Sequence, residues 1–353
     1  MSITVARMHP LSRSLCALAG AFVFAALPRA SADPLAELAA VSTFKSVDLD
    51  KLAAGTVQIA RGPAMNFPRG LAVESVYVMR TPVQKALQIH EQWNPNKHPE
   101  LKVYLHGELS SKPTAAEFQK LTSAPANGSV KSLVAATEKL GSGSTPLQLS
   151  NADVKAYAGA PGAPSGGVFP PKVAGFWTNL LLQRTQTFLS GGASRMPAYE
   201  TGGETVRLSE EVAHLLKDAP KVRSQFGALI ESNPLTGGKG AAPQSTYWEM
   251  FDEEGVAAIN LGALYVRTSG ETCQALDGQI YASGGYYTLL TFLQFWPVKV
   301  AGKDCTLIWR CDLISAAELG TLHGVERMGS STAMMRETKK SIESLLKDSR
   351  QTP

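Results

Sequence analysis

Thirteen residues near the end of the chain, Tyr286 to Val298 (YYTLLTFLQFWPV), constrain the fold more than any other stretch. Alternation along an extended strand puts Tyr287, Leu289, Leu293 and Phe295 on one side and Tyr286, Leu290, Phe292 and Trp296 on the other. A strand with two apolar faces needs cover on both, so it belongs in a sheet with layers above and below it. Its neighbours read as antiparallel partners: Ser245 to Phe251, Ala257 to Arg267, Cys273 to Tyr281 and Cys305 to Ile314, separated by turn residues such as Ser269-Gly270 and Ala301-Gly302-Lys303-Asp304. In the last of them Cys305, Leu307, Trp309, Cys311 and Leu313 share one face, while Arg310 and Asp312 point the opposite way.

A long helix is expected from Ala316 to Lys347, with a break near Gly324 or Gly329. Met328, Ser331, Met335, Thr338, Ile342 and Leu345 recur every three or four residues, a stripe that needs burial, and the preceding sheet is its nearest partner. Earlier in the chain, Leu71 to Met79 reads as a strand and Thr81-Pro82 as a helix start leading into Val83 to Trp93. Leu101 to Leu109 is a second strand, giving a β-α-β start over 71–109. The middle, 112–232, reads as helical at Ala115 to Thr122, Val130 to Leu140, Lys172 to Leu189, Ser209 to Lys217 and Val222 to Glu231. Ala158 to Pro171 (AGAPGAPSGGVFPP) interrupts it as a loop or hinge.

The fold class expected is α+β, a curved antiparallel sheet with a long C-terminal helix packed on it and an inserted helical layer, in a single domain from residue 33 to 353. The order strand, helix, strand, antiparallel meander, closing helix over 71–347 is similar to the helix-grip arrangement of START-like lipid-binding proteins. The likeness is one of element order, with a helical stretch of about 120 residues added.

Residues 1–32 have the layout of a cleavable export signal: Arg7 and Arg13, an apolar run from Leu15 to Leu27, Ala30-Ser31-Ala32, and no acid. Cys16 lies inside the apolar run, which argues against lipidation. Cleavage before Asp33 removes Arg7, Arg13 and Arg29 and leaves 31 basic residues against 30 acidic ones, in a periplasmic or secreted chain. So even a balance, without a Lys/Arg cluster, excludes nucleic acid as an expected partner, and no later apolar run reaches transmembrane length. Cys273, Cys305 and Cys311 remain; Cys305 and Cys311 are too far apart on one strand to bridge, so a disulfide would have to use Cys273, and three buried thiols are the other reading.

Signatures of chemistry are few. His90, His98 and His106 recur every eight residues, but helix, connection and strand give them no common face, and no metal or cofactor site is expected. Ser42-Thr43-Phe44-Lys45 and Ser344-Leu345-Leu346-Lys347 both match S-x-x-K without its companion motifs. Glu249, Asp252, Glu253 and Glu254 form an acidic cluster at a strand end, where Glu249 is also a candidate ion-pair partner for Arg310. The remaining feature is large aromatics facing a Met-lined helix, a combination that encloses apolar ligands and also makes a dry core. The expectation is a non-enzymatic carrier of a lipid or other apolar small molecule, with a cavity between Trp309, Phe295 and the Met328 to Met335 helix. Trp248, Leu289, Leu293 and Leu307 would line it and Tyr287 would orient the ligand. Two alternatives stand beside it: a cell-envelope hydrolase, favoured by a pocket joining Glu249 or His106 to a second titratable group, and a protein-interaction module using the 158–171 loop.

Overall fold

The computed structural model describes residues 33–163 and 167–351, so the expected export signal and the centre of the 158–171 loop lie outside the described residues. The chain folds as α+β around one curved antiparallel sheet of eight strands, not closed, in the order β1-β2-β8-β7-β6-β5-β4-β3. Two short helices, α1 (Pro34–Val41) and α2 (Leu49–Ala53), precede β1 (Gln58–Arg61), an edge strand paired with β2 (Gly70–Met79). Helix α3 (Val83–Gln92) then carries the chain to β3 (Val103–Leu109), which sits on the far edge with five strands between it and β2. Pro82 occupies the cap position of α3, one residue later than the sequence pattern suggests.

The meander falls where the turn residues place it: β4 (Ser245–Glu253), β5 (Val256–Ser269), β6 (Thr272–Ala282), β7 (Thr288–Val300) and β8 (Lys303–Ser315). β7 and β8 pair from Thr288↔Ser315 to Val300↔Lys303, and β8 pairs on its other side with β2 from Gly70↔Ser315 to Met79↔Thr306. Return of the chain end to β2 thus closes the early and late segments into one sheet.

Both faces of β7 are covered. On one face Leu290, Phe292 and Trp296 join Leu307, Trp309, Cys311 and Leu313 under the helical layer. That layer contains α4 (Gly128–Glu138), α5 (Asn151–Ala158), α6 (Pro171–Gly191), α7 (Leu208–Asp218), α8 (Pro220–Gln225) and α9 (Gly227–Ser232). Three departures from the sequence pattern occur here: α5 is a helix the pattern did not mark, Ala115–Ser123 winds as a 3-10 helix, and one expected helix is interrupted. Val222 to Glu231 is split at Phe226, whose ring is fully buried 5.0 Å from Phe292 and 6.1 Å from Trp309 (ring centroids). The 158–171 segment is, in its described residues, the expected loop between α5 and α6, and its ends are packed: Phe169 is buried and the Ala163 amide donates to the Pro171 carbonyl at 3.0 Å.

On the other face Leu293, Phe295, Cys273 and Ile308 pack under Val83, Ala86 and Leu87 of α3 and Ile342 and Leu346 of α10 (Gly324–Ser349). α10 starts at Gly324, where φ is +51°, and runs through Gly329 without a break. Cys273 therefore lies on the α3 face and Cys305 and Cys311 on the helical-layer face; the sheet separates them, and all three are free buried thiols. Among the described residues no helix is long and apolar enough to cross a membrane.

Trp309 is fully buried in this inter-layer core. Trp309→Ala should cost about 3–5 kcal/mol, the usual range for emptying a large aromatic site. Urea denaturation should show the loss, and because Trp309 faces away from α3, any small-molecule binding on the α3 face should survive under folding conditions.

Candidate functional site

Cover on the α3 face is incomplete. Between α3, the connection after it, α10 and the β3–β6 side of the sheet lies a cavity of about 330 Å³, within the usual size range of small-molecule sites. Leu289, Leu293 and Phe295 of β7 and Leu87 of α3 form an apolar wall. The opposite wall is polar, because inward positions of β3, β4, β6 and β8 carry charged or hydroxylated side chains.

Tyr247, Asp277 and Gln279 form the first polar group. Tyr247 of β4 pairs with Gly262 of β5, and with no side chain at Gly262 the phenol lies across β5 to reach β6. Its hydroxyl donates to Asp277 at 2.9 and 3.0 Å from the two carboxylate oxygens and accepts from the Gln279 amide at 2.8 Å. Burial raises the Asp277 carboxyl to about 7, against the lowering effect of the Tyr247 hydrogen bond.

His106 of β3 stands beside this group, its ring stacked on Tyr247 with centroids 5.6 Å apart. It meets Glu249 at 3.1 Å through Nδ1 and Glu108 at 3.0 Å through Nε2. Burial works to lower the imidazole, but the two carboxylates outweigh it and raise His106 to about 9, so it is a cation at neutral pH.

Arg310 and Asp312 of β8 complete the wall. Asp312, almost fully buried, takes the Arg310 Nε–H at 2.9 and 2.8 Å and the Thr291 hydroxyl at 2.6 Å. The two terminal nitrogens of Arg310 donate no hydrogen bond to any described residue, and the side chain keeps 20% of its surface accessible where it lines the cavity. His90 of α3 bonds the Tyr77 hydroxyl at 2.9 Å, and burial, helped by nearby Arg310, lowers it to about 3, leaving it neutral.

The structure separates the nine residues expected to line a cavity. Leu289, Leu293 and Phe295 do line this one. Trp309 and Leu307 are on the other face, in the core under the helical layer, because Trp309 and Phe295 occupy opposite sides of the paired strands β7 and β8. Trp248 is there too, its indole against Phe118 and its N–H donating to the Glu117 carbonyl at 3.2 Å. Tyr287 precedes β7, so strand alternation does not apply to it; its ring packs 5.4 Å from Tyr199 on the helical-layer side. Met328 is half-exposed near the start of α10 and Met335 is partly buried away from the cavity; α10 contributes Glu337 and Ser341 instead. A cavity between Trp309, Phe295 and Met328 to Met335 is thus replaced by one under α3.

Glu249 pairs with His106 and Arg310 with Asp312, so the suggested Glu249–Arg310 bridge is not formed. His98 sits in the connection after α3, 2.7 Å from Asp348 of α10, and the three regularly spaced histidines remain apart. Among the described residues no three His, Cys, Asp or Glu side chains converge as a metal-binding group. Ser42 and Ser344 are spent on structure, donating to the Leu38 carbonyl and to Glu100 respectively. The residues missed by the sequence reading are Tyr247, Asp277 and the cavity role of Arg310. A signal was available: Asp277 and Arg310 are charged residues in the middle of largely buried strands. No family model and no curated protein matches the chain.

Two outcomes follow. A methyl group at Gly262 would overlap the Tyr247 ring, so Gly262→Ala should break the Tyr247–Asp277 hydrogen bond and move the Asp277 pKa further up; carboxyl carbon NMR measures it, and an unchanged value would contradict the arrangement. His106 holds a proton in the fold up to about 9 that the unfolded imidazole releases near 6.5. Its contribution to stability is therefore complete below 6.5 and lost as pH rises through 9, and His106→Asn should flatten that part of the unfolding free energy measured from pH 6 to 9.5.

Proposed function

We propose that the protein binds a small amphipathic molecule in the α3-face cavity, and that it does so outside the inner membrane after export directed by residues 1–32. The observation that carries this reading is the uncommitted edge of Arg310 in a cavity whose other wall is Leu289, Leu293 and Phe295. A guanidinium four-fifths buried with two unpartnered nitrogens is costly unless something, solvent or ligand, supplies oxygen acceptors. Apolar burial would provide most of the affinity and the polar wall the orientation.

The polarity of the lining refines the ligand class. Glu108, Glu249 and Asp312 offset the positive charges of Arg310 and His106, so an anionic head group meets no net attraction. A neutral oxygen, as in a carbonyl or alcohol, suits Arg310 better. A cell-envelope hydrolase would gain from the way this cavity joins Glu249 and His106 to Asp277, but the carboxylate that takes the Thr291 hydroxyl, Asp312, is held by Arg310 and weakened as a base, and neither Ser245 nor Ser341 hydrogen-bonds a base among the described residues.

Native mass spectrometry of the protein purified gently from its own cells, followed by solvent extraction, tests the reading. The wild type should carry a neutral amphiphile, and Leu293→Trp, which fills the cavity, should lose it while keeping the wild-type circular dichroism spectrum. Equal ligand content in the two folded proteins would contradict the assignment.

A further inference from the structure

We propose that the cavity is a proton-transfer site for a carbonyl compound, in which Arg310 holds the carbonyl oxygen and Asp277 exchanges the proton on the adjacent carbon. The proposal rests on the α3-face cavity being a ligand site. It adds a reaction and a substrate class.

Placement on the sheet comes first. Asp277, Thr291 and Asp312 form one cross-strand row over β6, β7 and β8, and Arg310 lies in the next row, paired with Leu293. All four side chains point to the α3 face, so one molecule lying along Leu293 and Phe295 can reach both Arg310 and Asp277. Asp312 fixes Nε of Arg310 and neutralises its charge, and the terminal nitrogens are left to point donors at an oxygen. Such fixed donors gain strength as negative charge builds on that oxygen, which is the requirement for stabilising an enolate.

Asp277 has the complementary properties. It is partly accessible, and its position is fixed by Tyr247 through both carboxylate oxygens. Burial raises its carboxyl to about 7, where a base is strong enough to remove a proton and still about half ionised at neutral pH. The groups around it in the cavity are His106 and Glu108 from β3, Tyr247 and Glu249 from β4, Gln279 and Thr291 from β6 and β7, and Arg310 and Asp312 from β8. The helices above add neutral His90 and Glu91 from α3 and Glu337 from α10.

The step balances without a further reactant. The Asp277 carboxylate takes the proton from the carbon beside the carbonyl, and the C–H electron pair becomes a C=C bond. The carbonyl π pair moves to oxygen, giving an enolate held by the Arg310 N–H groups. Asp277 then returns a proton to the same or a conjugated carbon, regenerating the carbonyl.

Deuterium exchange tests this. 1-Tetralone, an apolar ring system bearing a ketone with exchangeable α-protons, is incubated with the purified chain in D2O near neutrality; loss of its α-proton signal is followed by NMR, and binding is read in the same sample by saturation transfer. Exchange should run on the order of 10²–10⁴-fold faster than without protein. Asp277→Asn should abolish the acceleration while 1-tetralone still binds. Should that variant fail to fold, the wild-type pH profile carries the test: the accelerated rate should rise through the Asp277 ionisation and then level off, whereas the uncatalysed rate keeps rising with hydroxide. Binding without acceleration, or acceleration that persists in folded Asp277→Asn, overturns the proposal and leaves the ligand reading standing. Failure of 1-tetralone to bind at millimolar concentration also overturns it, and the ligand reading is then decided separately by the extraction experiment with Leu293→Trp.

Discussion

Double-sided burial of β7 and β8 is the constraint on which the rest of the structure depends. A strand pair with Leu290, Phe292, Trp296 and Trp309 on one face and Leu293, Phe295 and Ile308 on the other cannot rest at a sheet surface. The long helical segment between β3 and β4 supplies one cover. Only α3 and α10 are left for the other, and two helices do not span eight strands. The uncovered part of the α3 face is where the cavity forms.

That shortage of cover explains why the cavity wall is charged. Inward positions of β3 to β6 that no helix reaches face space open to solvent, where polar side chains are tolerated only if they satisfy one another. They do so in three groups: Tyr247 with Asp277 and Gln279, His106 with its two glutamates, and Arg310 with Asp312 and Thr291. Left over are the Gln279 side-chain oxygen, buried without a partner among the described residues, and the outer edge of Arg310, which still offers charged N–H donors to a ligand.

Much of the fold was legible in the sequence because it follows from periodicity and turn chemistry. β4 to β8 lie between turns such as Ser269-Gly270 and Ala301-Gly302, and the Gly324 interruption marks where α10 begins. Strand partnership was not legible: nothing local shows that β2 pairs with β8 or that β3 goes to the far edge, since both depend on contacts more than a hundred residues apart. The site was legible only in part. Leu289, Leu293 and Phe295 came from alternation along one strand, whereas combining Phe295 with Trp309 required knowing the register between two strands, and that register places them on opposite faces. Tyr287 was misplaced because the turn at Gly284-Gly285 ends the alternation before β7 starts at Thr288. The charged residues were visible but uninterpretable until the sheet brought four strands together.

Methyl NMR with leucine-labelled protein tests the central claim, that a neutral amphiphile occupies the α3-face cavity. Titration with octan-1-ol, an apolar chain ending in a neutral oxygen, should shift the methyl signals of Leu87, Leu289 and Leu293, which line the cavity, and leave those of Leu307 and Leu313 on the helical-layer face in place. Shifts at Leu307 and Leu313, or none at the three cavity leucines, would contradict the account.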